Sequence, residues 1–216
     1  MLSLAPDAAA ALTLGDGDRV SDGPAERVVD AALRCVARWG LAKTTLDDIA
    51  REAGCGRATV YRLFPGGRDA LWEAVVVTEA SRFFTRITAR ANAERGLEDV
   101  VVAVITESAR GLSAHGALNF LLAHEPEAIL PRLAFHHMDS VLAVVGASAG
   151  PLIEPWLGAG ATQETAARGA EWVARIVLSY LLSPSPDIDL TDDESARRFV
   201  RLFVLPGLLP SVRQPI

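Results

Sequence analysis

Apolar residues recur at helical spacing along most of the chain. The first clear case begins at Pro24 and stops at Gly40. A proline is well tolerated in the first turn of a helix, because its missing N–H would have no partner there. One helical face of this segment is apolar: Val28, Val29, Ala32, Leu33 and Val36. The pattern therefore predicts an amphipathic helix between Pro24 and Gly40.

Two short helices are predicted to follow. Thr45-Leu46-Asp47-Asp48 has the form of a capping box, in which a hydroxyl and a carboxylate satisfy free N–H groups at a helix start. Apolar residues at helical spacing continue this helix for about two turns. Gly54-Cys55-Gly56 then breaks it. Residues 57–64 form the second short helix, and Pro65-Gly66-Gly67 ends it.

The rest of the chain has a helical pattern as well. Helices are predicted over residues 69–92, 97–115, 118–124, 127–132, 133–147 and 162–182. Glycines and two prolines are expected to interrupt helical structure over residues 148–161. Pro184 and Pro186 are expected to end the helix that precedes them. A capping box at 191–194 is expected to open a last helix. Because no strand-like alternation stands out, the predicted fold is all-α.

The two short helices and the glycine-containing turn between them fit a helix-turn-helix, with the first long helix as support. In such a module the second helix enters the major groove of DNA, and the residues at its start lie nearest the base edges. Those residues are small or polar here: Arg57, Ala58, Thr59, Tyr61 and Arg62. The Tyr61 hydroxyl could reach a phosphate oxygen.

Charge is distributed unevenly in a way that agrees with this prediction. The whole chain of 216 residues has a net charge of −6, yet residues 24–72 carry +2 and the remainder carries −8. Such asymmetry is typical of a nucleic-acid module beside an acidic partner domain.

The segment from Ala32 to Leu71 resembles the DNA-binding signature of the TetR (tetracycline-repressor) family of bacterial regulators. The resemblance rests on Gly40, Thr44-Thr45, Ile49-Ala50, Ala53-Gly54, Tyr61, Phe64 and Leu71. It implies two identical subunits, a three-helix DNA-binding region and a variable helical domain for an inducer or co-repressor. The DNA-binding residues that it and the helix-turn-helix indicate are Thr44, Thr45, Arg57, Ala58, Thr59, Tyr61, Arg62 and Arg68. The expected location is cytoplasmic by default, because the first residues carry no basic segment typical of a secretory signal.

Three departures from the family pattern affect the expected phosphate contacts. Leu63 stands where the family often has His or Tyr, so one contact is expected to be absent. Gly56 stands where Ser or Thr usually caps the recognition helix, and it caps more weakly. The turn after Phe64 is one residue longer than usual, which leaves Arg68 as the basic residue that reaches the DNA backbone.

We accordingly divide the chain into a mobile N-terminal tail (1–23), a helix-turn-helix domain (24–72) and a helical ligand-binding and dimerisation domain (73–216). The expected function is a ligand-responsive repressor that binds a near-palindromic operator and is released by an apolar small molecule. Candidate ligand-binding residues are Phe83, Ile87, Asn119, Phe120, Phe135, His136, Trp172 and Tyr180. Candidate dimer-interface residues are Trp172, Ile176, Tyr180, Phe199 and Phe203.

Other classes of protein are less well supported by the residues. An enzyme is the first alternative, but no nucleophile elbow, phosphate loop or dinucleotide fingerprint occurs. A helical lipid-binding or adaptor protein is the second, and it would have no use for the region around 44–68. No cofactor or metal is expected, because the four histidines match no metal-ligand spacing. Cys35 and Cys55 are read as packing residues. No run of apolar residues is long enough to span a membrane.

Overall fold

A computed structural model describes residues 23–131, 138–158 and 160–209, which are helical and contain no strand. The all-α fold predicted from the sequence is therefore confirmed. The helices, in chain order, are α1 (Pro24–Trp39), α2 (Leu46–Glu52), α3 (Arg57–Leu63), α4 (Gly67–Asn92), α5 (Leu97–Ser113), α6 (Gly116–His124), α7 (Pro126–Pro131), α8 (Met138–Ile153), α9 (Gln163–Leu182), α10 (Asp193–Phe199) and α11 (Leu205–Leu208). A 3₁₀ turn (Glu154–Trp156) follows α8, and a π-helical segment (Val200–Val204) joins α10 to α11.

The described residues form two compact units. Unit 1 contains the residues up to Arg82 together with the segment that starts at Ala114 and ends at Met138. Unit 2 contains Phe83–Ser113 and the residues from Asp139 onward. This division differs from the predicted boundary after residue 72. The predicted tail over residues 1–22 lies outside the described residues.

Unit 1 is built around α1. Pro24 occupies the first turn, as predicted, and the buried face of the helix includes Val28 and Cys35. The helix ends at Gly40, whose φ of 84° lies in the left-handed region that favours glycine. Against α1 pack the two short helices and also α6, where Gly116 approaches Ala37 and Ala117 is buried. The helix-turn-helix thus shares its core with a segment that follows it by about forty residues.

Unit 2 has its own apolar core, formed by α5, α9 and the last helices. The predicted break over residues 148–161 is wrong in its first part, because α8 continues through Pro151 to Ile153. The reason is close packing: a Cβ at Gly150 would lie 3.1 Å from the backbone of Ala167 on α9. Glycine allows that approach without any shift of Ala167, so tertiary contact outweighs the poor helix propensity of glycine. No described helix is both long and apolar enough to cross a membrane.

The last helix differs from its prediction at both ends. Asp192, not Thr191, is the N-cap: its side chain accepts the Ser195 N–H at 2.8 Å, while the Thr191 hydroxyl donates to Asp189. Beyond Phe199 the chain winds as a π-helix, with i→i+5 hydrogen bonds. An α-helix would place Phe203 on the same face as Phe199 and Val200, but the wider π-helical turn changes that register. Phe203 is 59% exposed and Leu202 is 67% exposed, while Val200 and Val204 are buried.

Candidate nucleic-acid interface

The helix-turn-helix of unit 1 presents one face of α3 to solvent. Val60 and Phe64 turn inward and are buried together with Ile49 of α2 and Leu71 of α4. The turn between the helices is closed by the Cys55 N–H, which donates to the Ala50 carbonyl at 2.9 Å. As a result, the opposite face of α3 is free. It carries Arg57, Ala58, Tyr61 and Arg62, all exposed, and the half-buried Thr59.

Arg57, at the start of α3, is held by two neighbours. Its Nη1 donates to Asp47 Oδ2 of α2 at 3.0 Å, and its Nη2 donates to the Tyr61 hydroxyl at 3.3 Å. The guanidinium carbon lies 5.4 Å from the centre of the Tyr61 ring, within the range of a cation–π contact. The Tyr61 hydrogen bond, followed by the Asp47 charge, raises the pKa of Arg57. Its side chain is therefore charged and oriented before any DNA arrives.

Thr45 caps α2 as the sequence predicts. Its Oγ1 accepts the Asp48 N–H at 3.2 Å and donates to Asp48 Oδ2 at 2.5 Å, and the same carboxylate accepts the Thr45 N–H. The Thr45 hydroxyl, then the Thr45 N–H, hold the pKa of Asp48 below its ordinary value. Thr45 is exposed, and it stays a predicted phosphate contact.

Thr44 does not lie where the prediction requires. Its side chain is 1% exposed, and its hydroxyl donates to the Gly40 carbonyl at 2.6 Å. A buried hydroxyl that is already bonded to the backbone cannot reach a phosphate on the surface. Thr44 therefore shapes the loop between α1 and α2, and its assignment as a DNA contact is corrected.

The loop that leads into α2 is fixed by two long-range contacts. Glu125, at the end of α6, accepts the N–H groups of Leu41 and Ala42 on Oε2 at 3.0 and 3.3 Å. Arg68 of α4 donates from Nη2 to the Leu41 carbonyl at 2.7 Å. Arg68 was expected to reach the DNA backbone; in the free protein it instead supports this loop while remaining exposed. No local sequence signal indicates Glu125, because its partners lie more than eighty residues away.

A basic depression of about 360 Å³ lies beside α2 in unit 1. Arg38, Lys43 and Arg51 line it, together with Asp48 and the rings of Trp39 and Phe120. Phe120 was expected in the ligand-binding domain, but it belongs to the unit that holds the helix-turn-helix. The depression extends the positive surface of this unit beyond α3.

The other predicted ligand-binding residues are divided between the units. Asn119 is exposed in unit 1, whereas Phe83, Ile87, Trp172 and Tyr180 belong to unit 2. Within unit 2, Phe83 lies against Gly111, Trp172 against Gly207, and Tyr180 packs edge-on against Phe199 at 5.4 Å. Phe83, Trp172 and Tyr180 thus have different neighbours within unit 2. Phe135 and His136 lie outside the described residues.

The predicted dimer residues also separate into two groups. Trp172 and Phe203 are exposed on unit 2, and Ile176 and Tyr180 are half-buried. Phe199, however, is buried within its own chain and offers no free surface, so its assignment is corrected. Leu202, which is 67% exposed, was not predicted, because it lies off the apolar face that Phe199 and Phe203 share in an α-helix. A groove of about 460 Å³ beside Trp172 adds Leu157, Leu208 and Leu209 to this apolar surface.

No group of three His, Cys, Asp or Glu side chains is arranged as a metal site within the described ranges. His115 instead caps α6: its Nδ1 accepts the Leu118 N–H at 3.1 Å, and its Nε2 lies 3.2 Å from Glu79 Oε2. The hydrogen bond from His115 is the main cause that lowers the pKa of Glu79. Both ring nitrogens therefore have partners within unit 1.

Comparison with known proteins supports a helix-turn-helix regulator. Residues 28–75 match the profile of the bacterial regulatory proteins, tetR family. The chain is 29% identical over 188 residues to the uncharacterised HTH-type transcriptional regulator Rv1255c of Mycobacterium tuberculosis, covering 87% of this chain and 86% of the relative.

Two solved structures share the fold. One is the TetR family repressor AlkX from Dietzia sp. strain DQ12-45-1b, implicated in biodegradation of n-alkanes (TM-score 0.62, 24% identity, 89% of this chain and 97% of that one). The other is the fatty acid degradation regulator FadR from Bacillus halodurans (TM-score 0.59, 15% identity, 90% and 99%).

An exposed recognition helix on a three-helix core defines a DNA-binding transcriptional regulator of the helix-turn-helix class. Within that class, the match over residues 28–75 is to the tetR family of bacterial regulatory proteins, so the DNA-binding region of the chain is of the TetR type.

Proposed function

We propose that this regulator is a homodimeric repressor that binds a near-palindromic operator and is released by an apolar small molecule. The observation that carries the proposal is the free face of α3, where Arg57 and Arg62 are exposed and Arg57 is already oriented. Arginine at the start of a recognition helix is suited to the acceptor atoms of guanine in the major groove. The exposed Thr45, Ala58 and Tyr61 and the half-buried Thr59 would complete the contact surface.

DNA binding is tested by selecting sequences from a pool of duplexes with a randomised central region. We expect the enriched sequence to be a near-palindrome whose half-sites lie about one helical turn apart, because a two-fold dimer presents two recognition helices. The logarithm of its association constant should fall linearly with the logarithm of salt concentration, by about 0.9 for each phosphate contact. The proposal would be contradicted if no sequence were enriched and the association constant did not depend on salt concentration.

The dimer is supported by the apolar surface on unit 2. Trp172, Leu202, Phe203 and Leu209 are exposed, although large apolar side chains that cluster on a surface are normally covered by a partner. Trp172 and the last helices lie around the same groove, so the surface is continuous there. A second copy related by two-fold symmetry would cover this surface with its own equivalent residues.

An apolar effector is supported by the composition of unit 2 and by the fold relatives. The core of unit 2 is aliphatic and aromatic, which is the usual lining of a small-molecule site between helices. AlkX is implicated in biodegradation of n-alkanes, and FadR regulates fatty acid degradation. The ligand would act by binding one conformation better than the other, with a coupling of about 1–3 kcal/mol.

The effector is tested with a panel of n-alkanes, fatty acids of increasing chain length, and aromatic drugs. We expect at least one compound both to raise the melting temperature and to lower operator affinity by about 5- to 150-fold, because binding to the released state must do both. If no compound does either, unit 2 serves dimerisation alone, and the protein would be a constitutive repressor.

A further inference from the structure

Asp47 places a negative charge on the face that is proposed to meet DNA. It lies in the first turn of α2, its side chain is 53% exposed, and its Oδ2 is 3.0 Å from Arg57 Nη1 of the recognition helix. A carboxylate at this place opposes the attraction between the module and phosphate, since the affinity for DNA backbone depends on net positive charge. Electrostatic attraction to DNA therefore does not explain why Asp47 lies on this face.

Stabilisation of the fold does not provide that explanation. Arg57 is 58% exposed, and ion pairs between two exposed side chains contribute little to the free energy of unfolding. The cap of α2 does not depend on Asp47 either, because Asp48 makes the capping contacts with Thr45. The contact between α2 and α3 also has a buried apolar part, formed by Ile49 and Val60.

The geometry around Arg57 indicates what Asp47 does. Asp47 holds one terminal nitrogen and the Tyr61 hydroxyl accepts from the other, while the ring of Tyr61 lies against the guanidinium. A guanidinium has five N–H donors, so two engaged donors leave the others available for a base edge. Fixing the side chain in advance reduces the rotamer entropy that is lost when it binds.

We propose that Asp47 is a specificity-determining positioning residue: it orients Arg57 for bidentate contact with a guanine and weakens sequence-independent binding through its negative charge. This inference rests on the proposed DNA-binding function. Asp47 is not proposed to contact DNA bases itself. It acts through Arg57, so substitution of Asp47 should affect preference at the same operator positions as substitution of Arg57.

The test compares Asp47→Ala and Asp47→Asn with Asp69→Ala, using the duplex selected by the wild-type protein and a scrambled duplex. Asp69 is an exposed carboxylate of the same unit that is not bonded to Arg57, so its substitution reports the effect of charge alone. For both Asp47 variants we expect about a tenfold loss in the ratio of specific to scrambled affinity, the scale of one well-placed arginine–guanine contact. Melting temperatures should stay within about 2 °C of wild type, because the pair is exposed.

The decisive measurement is the double variant with Arg57→Ala. In that background Asp47→Ala should cause no further loss of the ratio, and both single variants should relax preference at the same base pairs. The inference is overturned if Asp47→Ala leaves the ratio unchanged, or lowers it equally with and without Arg57. Failure of the wild-type protein to select any sequence would overturn the proposed function instead, so the two failures are distinguishable.

Discussion

The variant that combines Arg57→Ala with Arg62→Ala should lose operator affinity by 100-fold or more, on the order of 3 kcal/mol. Both arginines are exposed on α3, and in this account Arg57 contacts a base edge while Arg62 contacts the phosphate backbone. Fluorescence anisotropy with a labelled operator measures the loss. Because Arg62 acts on any sequence, the double variant should also lose part of its affinity for scrambled DNA.

The control for this experiment is Arg86→Ala. Arg86 is an exposed arginine of unit 2 that pairs with Glu107 of α5, so its substitution removes an arginine without touching α3 or the groove beside Trp172. Its operator affinity should stay within about twofold of wild type, since ion pairs at the protein surface contribute little to stability. Unchanged operator affinity in the Arg57, Arg62 double variant would show that α3 is not the recognition helix.

The second large effect should come from Leu202→Glu combined with Phe203→Glu. Burying one large apolar side chain contributes about 1.5–3 kcal/mol, and an unpaired carboxylate opposes burial. If these residues meet a second copy, the variant should be monomeric at micromolar concentration. Operator affinity should then fall by about 100-fold or more, because the two recognition helices would belong to separate molecules and the gain from bivalent binding would be lost. Light scattering and anisotropy measure the two results.

Val76→Glu is the matched control, because Val76 is a 50% exposed apolar residue of unit 1. This substitution adds one of the two negative charges of the double variant without altering the last helices, and it should leave the dimer intact. The proposed dimer would be refuted if the wild-type protein were monomeric at micromolar concentration. If the Leu202, Phe203 double variant stayed dimeric, the interface would have to lie elsewhere.

Local rules explain why the helix-turn-helix could be predicted from the sequence. The capping box at Thr45, the glycine turn before Arg57 and the proline at the start of α1 each act through residues within four positions. The apolar stripe of α1 likewise follows from helical periodicity. These signals identify each element without knowledge of what packs against it.

The errors arise where distant residues decide the outcome. The α8 helix passes through Gly150 and Pro151 because α9 packs closely on it, which no local pattern indicates. The π-helical segment after Phe199 leaves Phe203 exposed and Val204 buried, whereas an α-helix would place Phe203 on the same face as Phe199. Thr44 was assigned to the surface by resemblance to the family, yet its hydroxyl is used within the loop.

The contact between Glu125 and the loop after α1 has a consequence for anyone who builds chimeric biosensors from this protein. A transplant of residues 24–72 onto another sensor domain leaves behind the carboxylate that receives the Leu41 and Ala42 N–H groups. The recipient must then supply an acceptor of its own at that place, or the Leu41 and Ala42 N–H groups will bond to water and the loop before α2 will lose the contact that fixes it. The transferable part of this regulator is therefore discontinuous in sequence. It consists of the helix-turn-helix together with the α6–α7 segment that contacts it.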